Sequence, residues 1–412
     1  VPTIYIFAPF DALPGEAGSP ARFEALKEAL EAQGHTCIWW TSDWSHITKS
    51  RRASVAKETG IRLLPSPAYY KNVSLKRMRS HRSMARAYVA EVTRSIEAGE
   101  LPAPDVQFFS LPPLDSAAAC MKIKKRFGGR VILDVMDVWP NTFYQMLSFV
   151  PVSFRDAVGR ILFYPFHRQA CYAARHCDAL TAQSFSFVDW AKSLGFKNKP
   201  AHVCYLGSEV SDAVVRRERS ADEPLRLAYI GMMGMSYDLE TLFQAVRDLI
   251  EEGQPVALDI AGTGPKEAAL RAFVQVNHLD KVIRFHGYLE RPQLSKLLES
   301  CHLGMVPMYP KSGVTVPYKA CEYSCQGLGM IHSLPGELEK LVDQHSAGAL
   351  YCAGDVLSLK SVLTAYLNDP DRIALNSSGA IALAAKEFDR SHTYPGFASY
   401  LIELGVRSRE DL

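Results

Sequence analysis

Short apolar runs alternate with helical stretches from one end of this chain to the other, and that alternation restricts the fold more than any other feature. Residues 3–8, 36–40, 106–110, 130–135, 179–182 and 201–205 read as strands. Between them, residues 20–33, 75–98, 115–127, 153–175 and 184–194 carry apolar side chains at helical spacing. Strands separated by helices argue for parallel sheets covered on both faces. At 412 residues the chain exceeds one ordinary core, so more than one domain is expected.

The pattern is irregular between residue 40 and the helical run at 75, and it lapses again in Val215–Pro224 (VRRERSADEP), a charged stretch closed by proline. A second alternation follows, with strands at 225–230, 256–261, 282–285, 303–306, 328–331 and 349–351. Its helices begin near Asp238, Pro265, Pro292, Pro317, Pro335 and Asp355, and proline suits a first helical turn. The expected division is an N-terminal domain over 1–215, a linker over 216–224, a second domain over 225–385, and a terminal helix over 386–412 packing back on the first domain. Two doubly wound α/β domains would form a cleft between the carboxyl ends of their strands, where open parallel sheets bind ligands.

Apolar residues are 48% and charged residues 22% of the chain, with a net charge of +2, so neither a polyanion binder nor an acidic tail is indicated. No apolar run approaches the roughly 18 residues of a membrane span. VPTIYIFAPF reads as a first strand, and the nine scattered cysteines read as reduced buried thiols.

The run from Pro310 to Leu341, PKSGVTVPYKACEYSCQGLGMIHSLPGELEKL, carries the most chemistry. It places Glu322 on a helix opened by Pro317, then an apolar strand, then the turn Ser333–Gly336 into another helix start. A carboxylate can accept two ribose hydroxyls, and N–H groups at a helix start can hold a phosphate. Gly231 and Gly234 in YIGMMG, and Gly262 in LDIAGTGP, end strands in turns that let backbone approach a phosphate. The G-x-G-x-x-G spacing of a dinucleotide fold is missing, which argues against a nicotinamide enzyme.

The ordered series YIGMMG, LDIAGTGP, IRFHGYL, LGMVPM, VPYKACEY and SLPGELEKL resembles family 4 glycosyltransferases over the whole second domain. The likeness extends less tightly to the first domain, and its bacterial branch builds capsule, O-antigen and exopolysaccharide. It implies a GT-B fold of two Rossmann-like domains, a nucleotide-diphosphate sugar donor, UDP-linked by preference, and transfer with retention. It also implies a saccharide acceptor, lipid-linked, at the cytoplasmic face of a membrane. No metal and no cofactor are implied, the nucleotide sugar being a substrate.

By that resemblance Glu322 matches the second of two glutamates and holds the donor ribose. The first would fall at Val314, so the backbone of Gly313, Val314 and Thr315 is left to serve the sugar side. Relatives carry an arginine and a lysine after the glycine turn to neutralise the diphosphate, yet MGMSYDLETL contains neither. Lys319 and Lys311 are the substitutes, Lys319 preferred, because bond cleavage leaves charge on the diphosphate. Relatives also use the loop before the first helix, which makes Gly18 and Arg22 candidates near phosphate and acceptor.

In LDVMDVWP, Asp137 follows a strand end, where it either orients an acceptor hydroxyl as a catalytic acid–base group or caps the following segment. The helical run 75–98 is strongly basic. Its Lys76, Arg77, Arg79, Arg82 and Arg86 are expected to form a solvated face, a contact with anionic lipid, or a clamp on a lipid-linked pyrophosphate. Nucleic acid is not expected. Two other readings stay open at this point: a sugar-nucleotide epimerase of the same fold, and a degenerate partner subunit of a glycosyltransferase.

Overall fold

The structure, a computed structural model, describes every residue except 17–20, 54, 57–58, 145–146, 148–149, 211–213, 215, 221 and 411–412. Two compact units emerge: Val1–Tyr205 with Thr393–Leu412, and Leu206–His392.

The first unit is built on seven parallel strands. They are β1 (Thr3–Phe7), β2 (Thr36–Ser42), β3 (Ile61–Leu64), β4 (Val106–Leu111), β5 (Arg130–Val135), β6 (Ala179–Ala182) and β7 (Ala201–Val203), in the order β3-β2-β1-β4-β5-β6-β7. Alternate side chains of one strand serve two helical layers. Tyr5 and Phe7 pack with Met84, Tyr88, Ala117 and Ala173 on one face. Ile4 and Ile6 pack with Phe23, Leu26, Phe397 and Leu401 on the other. A strand buried on both faces reads as a nearly continuous apolar run, as in the IYIF of β1. The helix Arg390–Glu410 supplies Tyr394, Phe397, Ala398 and Leu401 to this core, and burying side chains the size of Phe397 and Leu401 contributes about 1.5–3 kcal/mol each.

β3 falls in a stretch that looks irregular in sequence. Four residues, IRLL, are too few for a visible period, and they become a strand by pairing with β2, Trp39 opposite Ile61. The single helix expected over 153–175 is two, Val152–Leu162 and Tyr164–His176, broken at Phe163, with Pro165 in the first turn of the second. Proline has no N–H for the helix ladder, so it starts a helix more readily than it continues one.

The second unit has six parallel strands: β8 (Leu225–Ile230), β9 (Val256–Ala261), β10 (Ile283–Gly287), β11 (Leu303–Val306), β12 (Gly329–His332) and β13 (Gly348–Leu350). Their order is β10-β9-β8-β11-β12-β13. Its core joins Leu227, Tyr229, Phe243, Leu258, Met305 and Ile331 to Leu359 and Leu363 of the helix Val356–Asn368. The segment expected as a linker, 216–224, packs within this unit: Arg217 donates to the Ser377 hydroxyl from its backbone and to the Gln326 carbonyl from its side chain. Each sheet reverses its winding once, between β1 and β4 and between β8 and β11. Those switch points open a crevice at the carboxyl ends of the strands.

All nine cysteines are free thiols. Among the described residues no helix is long and apolar enough to cross a membrane.

Candidate functional site

At the switch point of the second sheet, β8 runs out into Gly231 and β9 into Gly262. Gly231 sits at φ 107° and Gly262 at φ 139°, conformations closed to residues with a Cβ. A Cβ on Gly262 would lie 2.0 Å from the Gly231 carbonyl oxygen. The two turns are laced together: Gly231 N–H donates to Ala261, Met233 N–H to Thr263, and Lys266 N–H to Met233. Gly262 therefore supports the Gly231–Gly234 turn from behind, while Gly231 and Met232 are exposed.

The helix Tyr318–Cys325 crosses in front of this turn, opened by Pro317. Its Tyr323 locks it in place. The hydroxyl accepts from Ile230 N–H at 3.0 Å and lies 3.0 Å from the Ala228 carbonyl and 3.2 Å from that of Met305, joining the ends of β8 and β11. Gly304 lets the Tyr323 ring lie against β11, since a Cβ there would meet the ring at 2.4 Å.

That placement pushes Lys319 inward. The residue is 6% exposed, and its Nζ has no hydrogen-bond partner. The ammonium lies 4.0 Å from the Tyr229 ring centroid and 4.1 Å from that of Tyr237. It points at Gly231, where a Cβ would be 3.7 Å from Nζ. Burial holds the Lys319 pKa well below its ordinary value. Two aromatic faces are worth about 2 kcal/mol to a desolvated cation, less than the several kcal/mol that removing it from water costs.

One turn further along the same helix, Glu322 is half-buried, and its carboxylate accepts no hydrogen bond from any described residue. Burial raises its pKa, and the nearby charges of Arg291 and Arg390 draw it back. A buried cation without a partner and a carboxylate with open oxygens thus share one helix beside a glycine turn. Such a site can receive an anion at Lys319 and a pair of hydroxyls at Glu322.

The surrounding candidates divide. Gly313 takes φ 75° at the end of a short 3-10 turn, Pro310–Ser312, and Thr315 is half-buried. Val314 is 37% exposed, and its N–H donates to Ser312 Oγ at 3.3 Å. Lys311 is exposed with its ammonium over Tyr309. At the helix start before Glu337, Gly336 N–H donates to Glu339 at 2.9 Å.

In the first unit, Arg22 requires correction as a phosphate or acceptor residue. It is 0% exposed, forked onto Asp134 with two 3.0 Å bonds, and donates to the Cys204 carbonyl at 2.8 Å. Its charge is spent inside the core, where Asp134 also accepts from Thr181. Gly18 lies outside the described residues. Asp137 has the capping geometry: Oδ1 accepts from Val138 N–H and the Thr142 hydroxyl, and Oδ2 from the Trp139 indole. Burial raises its pKa. On the helix Leu75–Glu97, Lys76, Arg79, Arg82 and Arg86 are exposed, but Arg77 points inward at 7% exposure and leaves the basic face. The aromatic slot of Tyr229 and Tyr237 was missed in the sequence; its only signal is a tyrosine on either side of the glycine turn.

Residues 224–369 match the family described as Glycosyl transferases group 1. The putative colanic acid biosynthesis glycosyltransferase WcaL of Escherichia coli (strain K12) is 21% identical over 192 residues, 45% of this chain and 47% of that protein. WcaL of Salmonella typhimurium is 21% identical over 219 residues, 52% and 54%. The chain spans about half the length of the curated relatives it matches. Among solved structures, sucrose-phosphate synthase from Thermosynechococcus elongatus superposes with a TM-score of 0.71 at 17% identity, covering 98% of this chain and 100% of that one. HepE of Anabaena in complex with UDP and glucose gives 0.64 at 14%, covering 97% and 100%. The apo lipopolysaccharide outer core galactosyltransferase WaaB gives 0.66 at 13%, covering 97% and 99%. The sequence of the second unit accordingly follows the group 1 glycosyl transferase pattern, and the chain as a whole has the GT-B fold.

Proposed function

We propose that this protein moves a sugar from a UDP-sugar to a saccharide acceptor, with retention of anomeric configuration, in the assembly of a cell-surface polysaccharide. One observation carries the reading: the Lys319 ammonium is buried without a hydrogen-bond partner beneath the exposed turn at Gly231. A diphosphate is the partner that this cation lacks. The ribose diol matches the two open oxygens of Glu322, one helical turn away. Further support comes from the colanic acid role given to the WcaL proteins and from the UDP and glucose bound by HepE.

In this reaction the bond between the anomeric carbon and the β-phosphate oxygen breaks, and its electron pair stays on the diphosphate. The acceptor oxygen bonds to the anomeric carbon from the same face, and its proton passes to the departing diphosphate. Negative charge grows on that group during cleavage, and a cation already in place stabilises it without reorganising. Lys319 supplies that charge, so we propose neither metal nor cofactor. The acceptor side falls to the first unit. Asp137, already tied into its own turn, acts there as a positioning residue for the Val138–Thr142 loop. The exposed cations Lys76, Arg79, Arg82 and Arg86 suit a lipid-linked acceptor at the anionic inner face of a membrane.

The test is a thermal-shift screen of UDP-, GDP-, TDP- and ADP-sugars followed by turnover of Lys319→Ala. The expected result is stabilisation by a UDP-sugar and a fall in turnover larger than the rise in donor KM. No shift with any nucleotide sugar, or unchanged turnover, would refute the assignment.

A further inference from the structure

The switch point of the first sheet gathers a second set of cations with no counter-charge. Loops after β1, β2, β3 and β5, together with the first turns of the helix Leu75–Glu97, bring Phe10, His46, Lys49, Tyr69, Arg77 and Trp139 together at the carboxyl ends of the strands. Arg77 is stacked among aromatic faces, 4.9 Å from the Phe10 centroid and 4.8 Å from that of Trp139. It donates to the Asn72 carbonyl at 2.7 Å and to His81 Nε2 at 3.3 Å, both neutral acceptors. The Lys49 ammonium lies 5.1 Å from the Tyr69 ring centroid, 2.8 Å from the Asn72 amide oxygen and 3.3 Å from His46 Nδ1.

Among the described residues, no carboxylate forms an ion pair with either cation. Arg77 also meets the Tyr69 hydroxyl, a neutral partner, and the carboxylate whose charge it feels is Asp137, whose oxygens are taken by Val138, Trp139 and Thr142. Lys49 is also held at φ 54°, a left-handed conformation uncommon for a lysine, which the surrounding packing must enforce. Burial and the two neighbouring cations together push the His46 pKa down to about 3, so the imidazole is neutral and adds no charge of its own. Two cations held this close without an anion repel each other. A bound oxyanion would relieve both at once.

We propose that this cluster is the receptor for an oxyanion borne by the saccharide acceptor, with Lys49 and Arg77 holding the phosphate or carboxylate and the partly open ring of Phe10 lying against the sugar. The inference rests on the glycosyltransferase reading and adds the chemical class of the acceptor, an acidic sugar. Arginine over aromatic rings suits this task because its planar fork meets two oxygens while its faces stay packed.

The full chain, first titrated with UDP and then held saturated with it, is titrated with methyl glucoside, methyl glucuronide and glucose 6-phosphate. At least one acidic sugar is expected to bind tenfold or more tightly than the neutral one. A preference for the glucuronide identifies a carboxylate, and a preference for the phosphate identifies a phosphoryl group. Lys49→Gln should weaken the acidic ligand about tenfold and leave UDP affinity unchanged, and Arg77→Lys should also weaken it by losing the fork. Equal binding of neutral and acidic sugars, or undiminished binding in Lys49→Gln, overturns the receptor alone. Failure of the initial UDP titration overturns the UDP-sugar donor reading on which it rests.

Discussion

Replacing Lys319 by methionine separates ligand binding from stability, because the two should move in opposite directions. Methionine keeps the buried stem and removes the ammonium, which has no hydrogen bond and only the rings of Tyr229 and Tyr237 for company. A buried ion costs several kcal/mol, and aromatic faces return about 2 kcal/mol, so the unliganded variant should gain about 1–3 kcal/mol. For a unit of this size that corresponds to a melting temperature roughly 2–10 °C higher. Binding should change the other way. A charge pair at about 4 Å has a ceiling of about 4 kcal/mol near a protein surface, and a charged hydrogen bond is worth about 1.5–3 kcal/mol net. UDP affinity should therefore fall about ten- to hundredfold.

Melting curves with and without UDP read both effects. At a UDP concentration about 100 times the wild-type Kd, the wild-type protein gains about 2.7 kcal/mol, whereas a variant bound a hundredfold more weakly gains about 0.4 kcal/mol. Protonation gives a second signature. Burial lowers the Lys319 pKa in the free protein, and a bound diphosphate raises it again. Between those two values UDP binding takes up a proton, so wild-type affinity should weaken as pH rises through that window, and the methionine variant should lack this slope. A variant that melts below the wild type and keeps its full UDP shift would refute the reasoning.

Three other substitutions test other parts of the structure. In Glu322→Gln, UDP affinity should drop about tenfold in calorimetric titration, since an amide offers the ribose one acceptor oxygen where the carboxylate has two. Burial raises the Glu322 pKa above its ordinary value of 4.5, so the stability linked to this group is complete below that value and is lost as pH rises through the folded-state pKa; the glutamine variant should lack this loss in denaturation measured against pH. Gly262→Ala would drive a Cβ into the Gly231 carbonyl at a φ of 139°, and chemical denaturation should report a loss of about 3 kcal/mol. Arg22→Met leaves Asp134 buried without its cation and should destabilise the first unit by about 3–5 kcal/mol, while UDP binding below the melting transition is retained; selective loss of binding in a stable variant would instead favour a ligand role.

Much of the architecture was legible because period and punctuation agree. Apolar runs such as TIYIF and LRLAYI become strands buried on both faces, and prolines such as Pro317 mark helix starts. Where local signals were weak, neighbours decided. IRLL becomes β3 only because β2 offers an edge, and the helical stretch around Phe163 divides in two beside Pro165. The charged run 216–224 resembles a linker, yet Arg219 is buried with its donors on the carbonyls of Glu223 and Leu367.

Glu322 and Lys319 were legible as a pair because both lie in VPYKACEY, one helical turn apart. Which face Lys319 takes was not, since Gly231 and the two tyrosine rings come from distant segments. Arginines were the least readable residues. Arg22 looked like a loop cation and is sealed against Asp134, while Arg77 looked like one member of a basic face and turns into an aromatic cluster.

The sequence by itself determined the α/β alternation, the two parallel sheets and the run that carries the acid and the lysine, because hydrophobic period and helix punctuation are local properties. Only the tertiary structure decided which charges are spent and which remain available. A side chain's charge is visible in the sequence, but its partner, its burial and hence its energy depend on segments that meet only at the switch points of the folded sheets.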